Sequence, residues 1–200
     1  MIRLSAGVVV LLSSVAAAEV VNGSFESAAL NQPGRAPIAS LTDWNASGGF
    51  SLLERGVNSI SNIEAHSDDQ FVSVGHSGTS NDRLTQTIDT VAGVQYTLEY
   101  WLRSIQGSQF QVVRGSAFDA GTSEVLGSVD GSVEDAGDGW VRHSVDFTAT
   151  SGRTQIELLH TVAGSAGNVA IDTVSVTVIP ASAALLVVPI GLAGLARRKR

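Results

Sequence analysis

The stretch that decides the fold is "VQYTLEYWLR", residues 94–103. Apolar and polar side chains alternate through it, and the apolar set is Val94, Tyr96, Leu98, Tyr100 and Leu102. A period of two predicts a β-strand with one buried face, because successive side chains of a strand point to opposite sides of the sheet. Trp101 falls on the polar side of this strand, between Glu99 and Arg103.

The same alternation recurs along the chain. It predicts clear strands at 140–148, 154–161 and 168–178, and shorter ones at 49–54, 70–75, 84–89 and 109–116. Glycine-containing turn signals such as Asp130-Gly131 and Ser151-Gly152 separate them. Many short strands in one domain predict an all-β fold, namely a two-sheet antiparallel β-sandwich. In the last strand, the alternation puts Asp172 on the same face as Val174 and Val176.

Charge and composition limit the classes of ligand and of chemical site that this domain can have. Residues 19–179 carry all 19 acidic residues of the chain and seven arginines, a net charge of −12. Such a domain repels nucleic acid and anionic membranes, and it suits neutral ligands or divalent cations. The chain has no cysteine, which excludes disulfides, thiolate metal sites and a cysteine nucleophile.

Four segments occur in an order that resembles the galactose-binding-like domains. They are "VVNGSFE" at 20–26, "LTQTIDTVAGVQYTLEYWLRS" at 84–104, "GWVRHSVDFTATSGRTQIELL" at 139–159 and "NVAIDTVSVT" at 168–177. Within that group, the sequence is most similar in appearance to the carbohydrate-binding modules of families four and nine. The resemblance covers about residues 20–178 and implies a jelly roll whose first and last strands are adjacent.

The resemblance also implies a structural calcium ion (Ca2+) where the two ends of the domain meet. Glu26 and Asp172 match the acidic positions of the family, and Asn22 is a weaker candidate ligand. Calcium takes six to eight oxygen ligands, and a cation would offset the cost of an unpaired carboxylate on an apolar face. The alternative is that Asp172 accepts backbone hydrogen bonds and Glu26 is exposed.

A sugar-binding platform is predicted around Trp101, because an aromatic ring among polar groups suits the apolar face and the hydroxyls of a pyranose. The polar residues expected around it are Glu99, Arg103, Gln109 and Gln111. The alternative is that a loop covers this face and Trp101 belongs to a second packed layer. Trp44 is the other candidate, since the corresponding region lines the binding site in some family members.

Catalytic signals are weak. His66 with Asp68 and Asp69 could be metal ligands, but a histidine among loop acids is usually solvated. Nineteen acids always permit some pair of carboxylates, so a glycosidase pair cannot be recognised from their presence. No phosphate loop, nucleophile elbow or zinc-binding helix motif occurs. The sequence predicts a protein that is not an enzyme.

The N-terminus, "MIRLSAGVVVLLSSVAAAEVV", has the layout of a secretory signal. Arg3 precedes an apolar run at 6–12, and small residues follow, among them Ala16 and Ala18. This order predicts a signal peptide over residues 1–18 that is cleaved after Ala18.

The C-terminus, residues 180–200, is predicted to be a sorting or anchoring tail. Its apolar part, 181–196, would form a single helix of about 24 Å, shorter than a hydrocarbon core of roughly 30 Å. The basic cluster that follows would stay in the cytoplasm, and its members are Arg197, Arg198, Lys199 and Arg200. The layout resembles the PEP-CTERM tails, which implies processing by an exosortase-type enzyme. Here Pro180 is followed by Ala181 and Ser182, so the Glu and the second Pro of the family motif are missing.

Together these features predict an exported protein of the cell envelope or extracellular matrix, transiently anchored in the inner membrane. Its domain, residues 19–179, is expected to bind polysaccharide and no nucleic acid. Two alternatives remain open: a structural envelope protein that acts through protein contacts, and a carbohydrate-active enzyme.

Overall fold

The computed structural model describes residues 18–27, 35–37, 41–48, 51–54, 63–75, 81–105, 110–134, 139–161 and 168–180. All regular elements in these ranges are β-strands: β1 (Arg35–Pro37), β2 (Asn45–Ser47), β3 (Ser51–Glu54), β4 (Gln70–Val74), β5 (Arg83–Asp89), β6 (Gln95–Ser104), β7 (Gln111–Asp119), β8 (Val125–Val133), β9 (Val141–Thr148), β10 (Arg153–His160) and β11 (Val169–Val178). The predicted all-β fold is confirmed.

The strands form two antiparallel sheets that pack face to face. The six-stranded sheet has the order β1-β3-β4-β11-β6-β9, and the five-stranded sheet has the order β2-β5-β10-β7-β8. The alternating stretch 94–103 forms most of β6, which pairs with β11 on one side and with β9 on the other. The structure is therefore a β-sandwich, as the alternation predicts.

One apolar core lies between the sheets. The inward side chains of β6 are fully buried, and they are Tyr96, Leu98, Tyr100 and Leu102. Leu84, Ile156 and Leu158 reach the same cluster from the five-stranded sheet. Each such side chain contributes about 1.5–3 kcal/mol when it leaves water, so this alternation accounts for much of the core.

The segment 18–27 joins the start of the domain to its last strand. The backbone amide of Val174 donates to the carbonyl of Gly23 at 2.9 Å. A β-carbon at Gly23 would lie 2.0 Å from the Val174 carbonyl oxygen, so this approach requires glycine. The buried side chain of Gln86 accepts from the Val21 amide at 2.9 Å and donates to the Val21 carbonyl at 2.8 Å. Segments near the two ends of the domain are therefore adjacent.

An irregularity in β11 changes which face its residues occupy. The register of β11 against β6 shifts between Asp172 and Ser175, and Thr173 has a left-handed φ of 50°. Asp172 lies opposite Trp101 on the outer face, whereas Val176 lies opposite the core residue Leu98. The prediction that Asp172 shares a face with Val176 is wrong, because strict alternation does not allow for a bulge.

The predicted turn at Asp130-Gly131 is also wrong, since both residues lie inside β8. Gly131 marks a close approach between the sheets: a β-carbon there would lie 2.7 Å from Cγ of His143 in β9. Glycine in a strand often has this role, and the sequence signal is the same as that of a turn.

Several predicted features lie outside the described residues, namely the signal segment 1–17 with Ala16, the tail 181–200 with its basic cluster, and Gln109. Ala18 is buried, and Pro180 is exposed at the end of the described chain. Within the described ranges, no helix has the length and apolar character needed to cross a membrane.

Candidate functional site

The predicted platform lies on the outer face of the six-stranded sheet. Glu99, Trp101 and Arg103 follow one another on this face of β6, and all three are partly exposed. The structure thus brings these three residues together as predicted. Arg142, opposite Trp101 in β9, makes a 2.5 Å ion pair with Glu99.

The indole of Trp101 is already covered on one side. The imidazole of His66 stacks on it with ring centroids 4.0 Å apart and an interplanar angle of 21°. The His66 Nδ1 is 2.8 Å from the Thr173 hydroxyl, which fixes the ring in place. Burial lowers the pKa of the His66 imidazole, and the charge of Glu99 opposes that shift. His66 therefore occupies the stacking position that a sugar ring would need.

His66 belongs to a segment that crosses the outer face, residues 63–69, here called the strap. Ile63 of the strap packs into a small second apolar cluster with Phe71 and Ala170 of the sheet beneath it. The indole nitrogen of Trp140 donates to the Glu64 carbonyl at 3.0 Å. The strap thus covers part of this face, as the alternative expects, while Trp101 itself stays partly exposed and is not a member of this cluster.

Two other residues predicted for the platform lie elsewhere. Trp44 is buried in the main core against Phe25, and its indole nitrogen donates to the Asn22 carbonyl at 3.1 Å. Gln111 is fully buried in β7 of the opposite sheet, with its side-chain oxygen 2.9 Å from Nε2 of His160. Both predictions are corrected, because neither residue is available to a ligand beside Trp101.

Asp172, the first candidate metal ligand, is fully buried beneath the strap. One oxygen accepts from the backbone amides of His66 and Ser67 at 2.8 and 3.0 Å. The other accepts from the Ser67 hydroxyl and the Thr173 amide. Burial raises the pKa of Asp172 to about 6, and these hydrogen bonds oppose the rise. All four acceptor positions of the carboxylate are thus occupied.

Glu26, the second candidate, holds the other end of the strap. Its Oε1 accepts from the backbone amides of Asp69 and Gln70 at 3.0 and 2.7 Å. Burial raises the pKa of Glu26, opposed by these two bonds, while the charges of Asp68 and Asp69 raise it further. The side chain is therefore partly buried and engaged, not simply exposed.

Asn22, the third candidate, is engaged as well. Its side chain accepts from the Ser27 amide at 3.1 Å and donates to the Thr42 carbonyl at 3.2 Å. Among the described residues, no three His, Asp or Glu side chains converge as a metal-binding group. This arrangement does not fit a calcium ion bound by Asp172 and Asn22, and calcium binding stays a prediction.

The outer face of the five-stranded sheet carries a second candidate site. Cross-strand register places residues in rows that run across β5, β10, β7 and β8. The central row is Thr85, Glu157, Ser116 and Ser128, and the next row is Thr87, Gln155, Phe118 and Val125. Residues in one row point to the same side of the sheet, so these side chains form one continuous surface.

This surface contains a depression of about 280 Å³, here called the trough, which is lined in part by Arg83, Phe118, Gln155 and Glu157. Glu157 is only 6% exposed although it lies on an outer face. Its carboxylate is 3.1 Å from the guanidinium of Arg83. The floor of the trough is thus a carboxylate, and the partly exposed ring of Phe118 stands beside it.

Sequence reasoning missed the trough. Alternation within the predicted strand 154–161 places Ile156 and Leu158 on the inner face, and therefore Gln155 and Glu157 on the outer face. However, Phe118 lies beyond the predicted end of its strand at residue 116, and strand order decides which rows meet. Alternation within one strand carries no information about its neighbours.

No protein-family model and no curated protein matches the sequence. Several solved structures do share its fold. A Stig cyclase from Fischerella sp. TAU, in complex with an indole compound, is 19% identical with a TM-score of 0.67 and covers 84% of this chain and 100% of its own. The carbohydrate-binding module TmCBM61, in complex with β-1,4-galactotriose, is 17% identical with a TM-score of 0.56 and covers 80% and 97%.

A third structure is the CBM22-1 xylan-binding domain of Xyn10C from Paenibacillus barcinonensis. It is 11% identical with a TM-score of 0.51 and covers 78% of this chain and 98% of its own. At such identities the likeness establishes the fold and nothing more. Both a cyclase and sugar-binding modules use this sandwich, so the fold alone does not decide between catalysis and binding.

Proposed function

We propose that this protein is a non-catalytic module that binds a neutral polysaccharide in the trough of its five-stranded sheet. The observation that carries the proposal is the buried carboxylate of Glu157 on an outer face, beside the ring of Phe118. The likeness to modules solved with galactotriose or described as xylan-binding supports the same class of ligand.

The trough has the groups that sugar recognition requires. The face of Phe118 can stack on the C–H face of a pyranose. Around it, the carboxylate of Glu157 accepts hydrogen bonds, the guanidinium of Arg83 donates them, and the amide of Gln155 does both. Hydrogen bonds to charged groups contribute about 1.5–3 kcal/mol each, so a few of them give a specific if modest affinity.

Charge favours a neutral ligand. On this surface Arg83 is paired with Glu157, and Arg114 is paired with Asp130 at 2.7 Å. The paired charges leave no free cation for an acidic sugar at these positions. The domain as a whole has a net charge of −12, which repels anionic polymers.

The test is binding of the full-length chain to neutral glucans, galactans and xylans, measured by calorimetry. We expect Phe118→Ala and Glu157→Gln each to raise the dissociation constant about tenfold or more, since each loses at least about 1.4 kcal/mol. Trp101→Ala is the matched control, because it removes an aromatic ring from the opposite face.

The outcomes separate the alternatives. Loss of binding in Trp101→Ala alone would move the site to the six-stranded sheet and contradict the trough. Binding of none of the polymers would favour a structural protein that acts through protein contacts. Release of shorter sugars during the titration would show a carbohydrate-active enzyme.

We further propose that the protein is exported and transiently held in the inner membrane by its tail. The support is in the sequence: a signal-like N-terminus, and an apolar segment that ends in four basic residues. An exosortase-type enzyme would then release the domain to the envelope or matrix. The predicted processing begins after Ala18 and, at the other end, near Pro180.

A further inference from the structure

Three backbone amides of the strap, and a fourth just after it at Gln70, donate hydrogen bonds to two carboxylates. His66 and Ser67 donate to Asp172, and Asp69 and Gln70 donate to Glu26. The residue between the two pairs, Asp68, has a left-handed φ of 51°. Successive amides around a left-handed residue form a concave group of N–H donors that binds anions.

The two carboxylates come from distant parts of the chain. Asp172 lies 106 residues from His66, and Glu26 lies 44 residues before Gln70. Asp172 faces outward only because of the bulge in β11, which places it opposite Trp101 under the strap. The strap is thus tied at one end to the last strand and at the other to the start of the domain.

This environment is the electrostatic opposite of a cation site. A calcium ion requires oxygen atoms turned toward it, such as carbonyls and free carboxylate lone pairs. Here Asp172 receives four hydrogen bonds, which is about the number of lone pairs that a carboxylate offers. The positive ends of the amide dipoles occupy the side of the carboxylate from which a cation would approach.

We infer that Glu26 and Asp172 anchor the strap directly through its backbone amides, so that this fold keeps its strap closed without a cation. The two side chains supply the negative charge that the amides require. The ion pair expected between these acids and calcium is replaced by charge-assisted hydrogen bonds, each stronger than one between neutral groups. The strap in turn holds His66 over Trp101 and covers that part of the six-stranded face.

The test is thermal unfolding of the full-length chain, once with a strong chelator and once with excess calcium chloride. We expect the same melting temperature in both conditions for the wild type. Glu26→Gln keeps one carbonyl oxygen that can accept from both amides but removes the negative charge, so it should lower the melting temperature by about 2–4 °C, equally with and without calcium. Asp172→Asn should act in the same direction and more strongly, because that residue is fully buried.

Asp69→Asn is the matched control. It removes a neighbouring negative charge but keeps the Asp69 amide that donates to Glu26, so the melting temperature should stay near that of the wild type. If Asp172→Asn does not fold, Glu26→Gln and calcium calorimetry on the wild type still decide the matter. A wild-type melting temperature that rises with calcium, and a rise that disappears in Glu26→Gln, would overturn the inference.

Discussion

Tyr100 links the two sheets through its hydroxyl group. It lies in β6, and its hydroxyl is 3.1 Å from the Val113 carbonyl and accepts from the Gly115 amide at 3.1 Å, both in β7 of the opposite sheet. The side chain is fully buried, and burial raises the pKa of the phenol. A buried hydroxyl that both donates and accepts a hydrogen bond across the core fixes the distance between the sheets.

Gly115→Ala tests this contact. A β-carbon at Gly115 would lie 2.3 Å from Cε1 of Tyr100, so the ring or a sheet must shift. We expect the free energy of unfolding to fall by about 1–3 kcal/mol, measured by urea denaturation. In the control Gly152→Ala the nearest atom is 4.0 Å away, and the change should stay within about 0.5 kcal/mol. Equal stability of the two variants would contradict the described packing.

Single residues also show where sequence reasoning reaches its limit. Alternation correctly predicts that Glu99, Trp101 and Arg103 share one face, because the face of a residue depends only on the strand that contains it. The positions of Trp44 and Gln111 depend on elements far away in sequence, and both turned out to be buried. Whether a polar residue meets solvent or another layer cannot be deduced from alternation alone.

At the scale of elements, the strap decides the character of the six-stranded face. It is held by the carboxylates of Glu26 and Asp172, by the stack of His66 on Trp101 and by the hydrogen bond from Trp140 to Glu64. These contacts are spread along its length. Because it is held at several points, the strap is a fixed part of the outer surface of the six-stranded sheet.

Trp140→Phe tests how much one of these ties contributes. Phenylalanine can keep an aromatic contact with Phe71 but has no N–H for the Glu64 carbonyl. We expect a loss of about 1 kcal/mol, together with faster amide hydrogen exchange in the strap. Trp101→Phe is the control, because it changes ring size in the same way without removing a described hydrogen bond. Amide hydrogen exchange in the strap should be slower in Trp101→Phe than in Trp140→Phe. The reverse order would mean that the His66 stack is the main tie.

Element boundaries were predicted well where alternation is regular and poorly where glycine intervenes. Strands β6, β9, β10 and β11 begin and end within one residue of their predicted limits. The sequence predicts no strand over β8, because Asp130-Gly131 has the signature of a turn, whereas in the structure Gly127 and Gly131 both allow close approach to β9. A glycine required by packing and a glycine required by a turn have the same signature in a single sequence.

At the scale of the whole molecule, the proposal of export makes a prediction about covalent structure. Intact-mass spectrometry of the protein from its producing cells should find an N-terminus at Glu19. The membrane-bound form should retain Arg197–Arg200 because the basic residues hold the tail in place, and a released form should end near Pro180. A mass that begins at Met1 in every fraction would contradict the signal peptide.

The sandwich as a whole could be predicted because many alternating strands with one apolar face each have few stable arrangements. The location of the trough could not, because it depends on how β5, β10 and β7 lie side by side. Glu157 and Phe118 meet through register, and register is set by the complete sheet.

The hydrogen bond between Val174 and Gly23 has a consequence for when this protein can fold. The two residues are about 150 positions apart, and the last strand lies in the middle of its sheet between β4 and β6. Contacts between distant parts of a chain form late, after the entropy of closing a long loop has been overcome. A nascent chain that still lacks residues 168–178 therefore cannot complete its larger sheet. The two-sheet sandwich therefore closes only when synthesis is nearly finished, and an incompletely folded chain is the form that a narrow translocation channel admits.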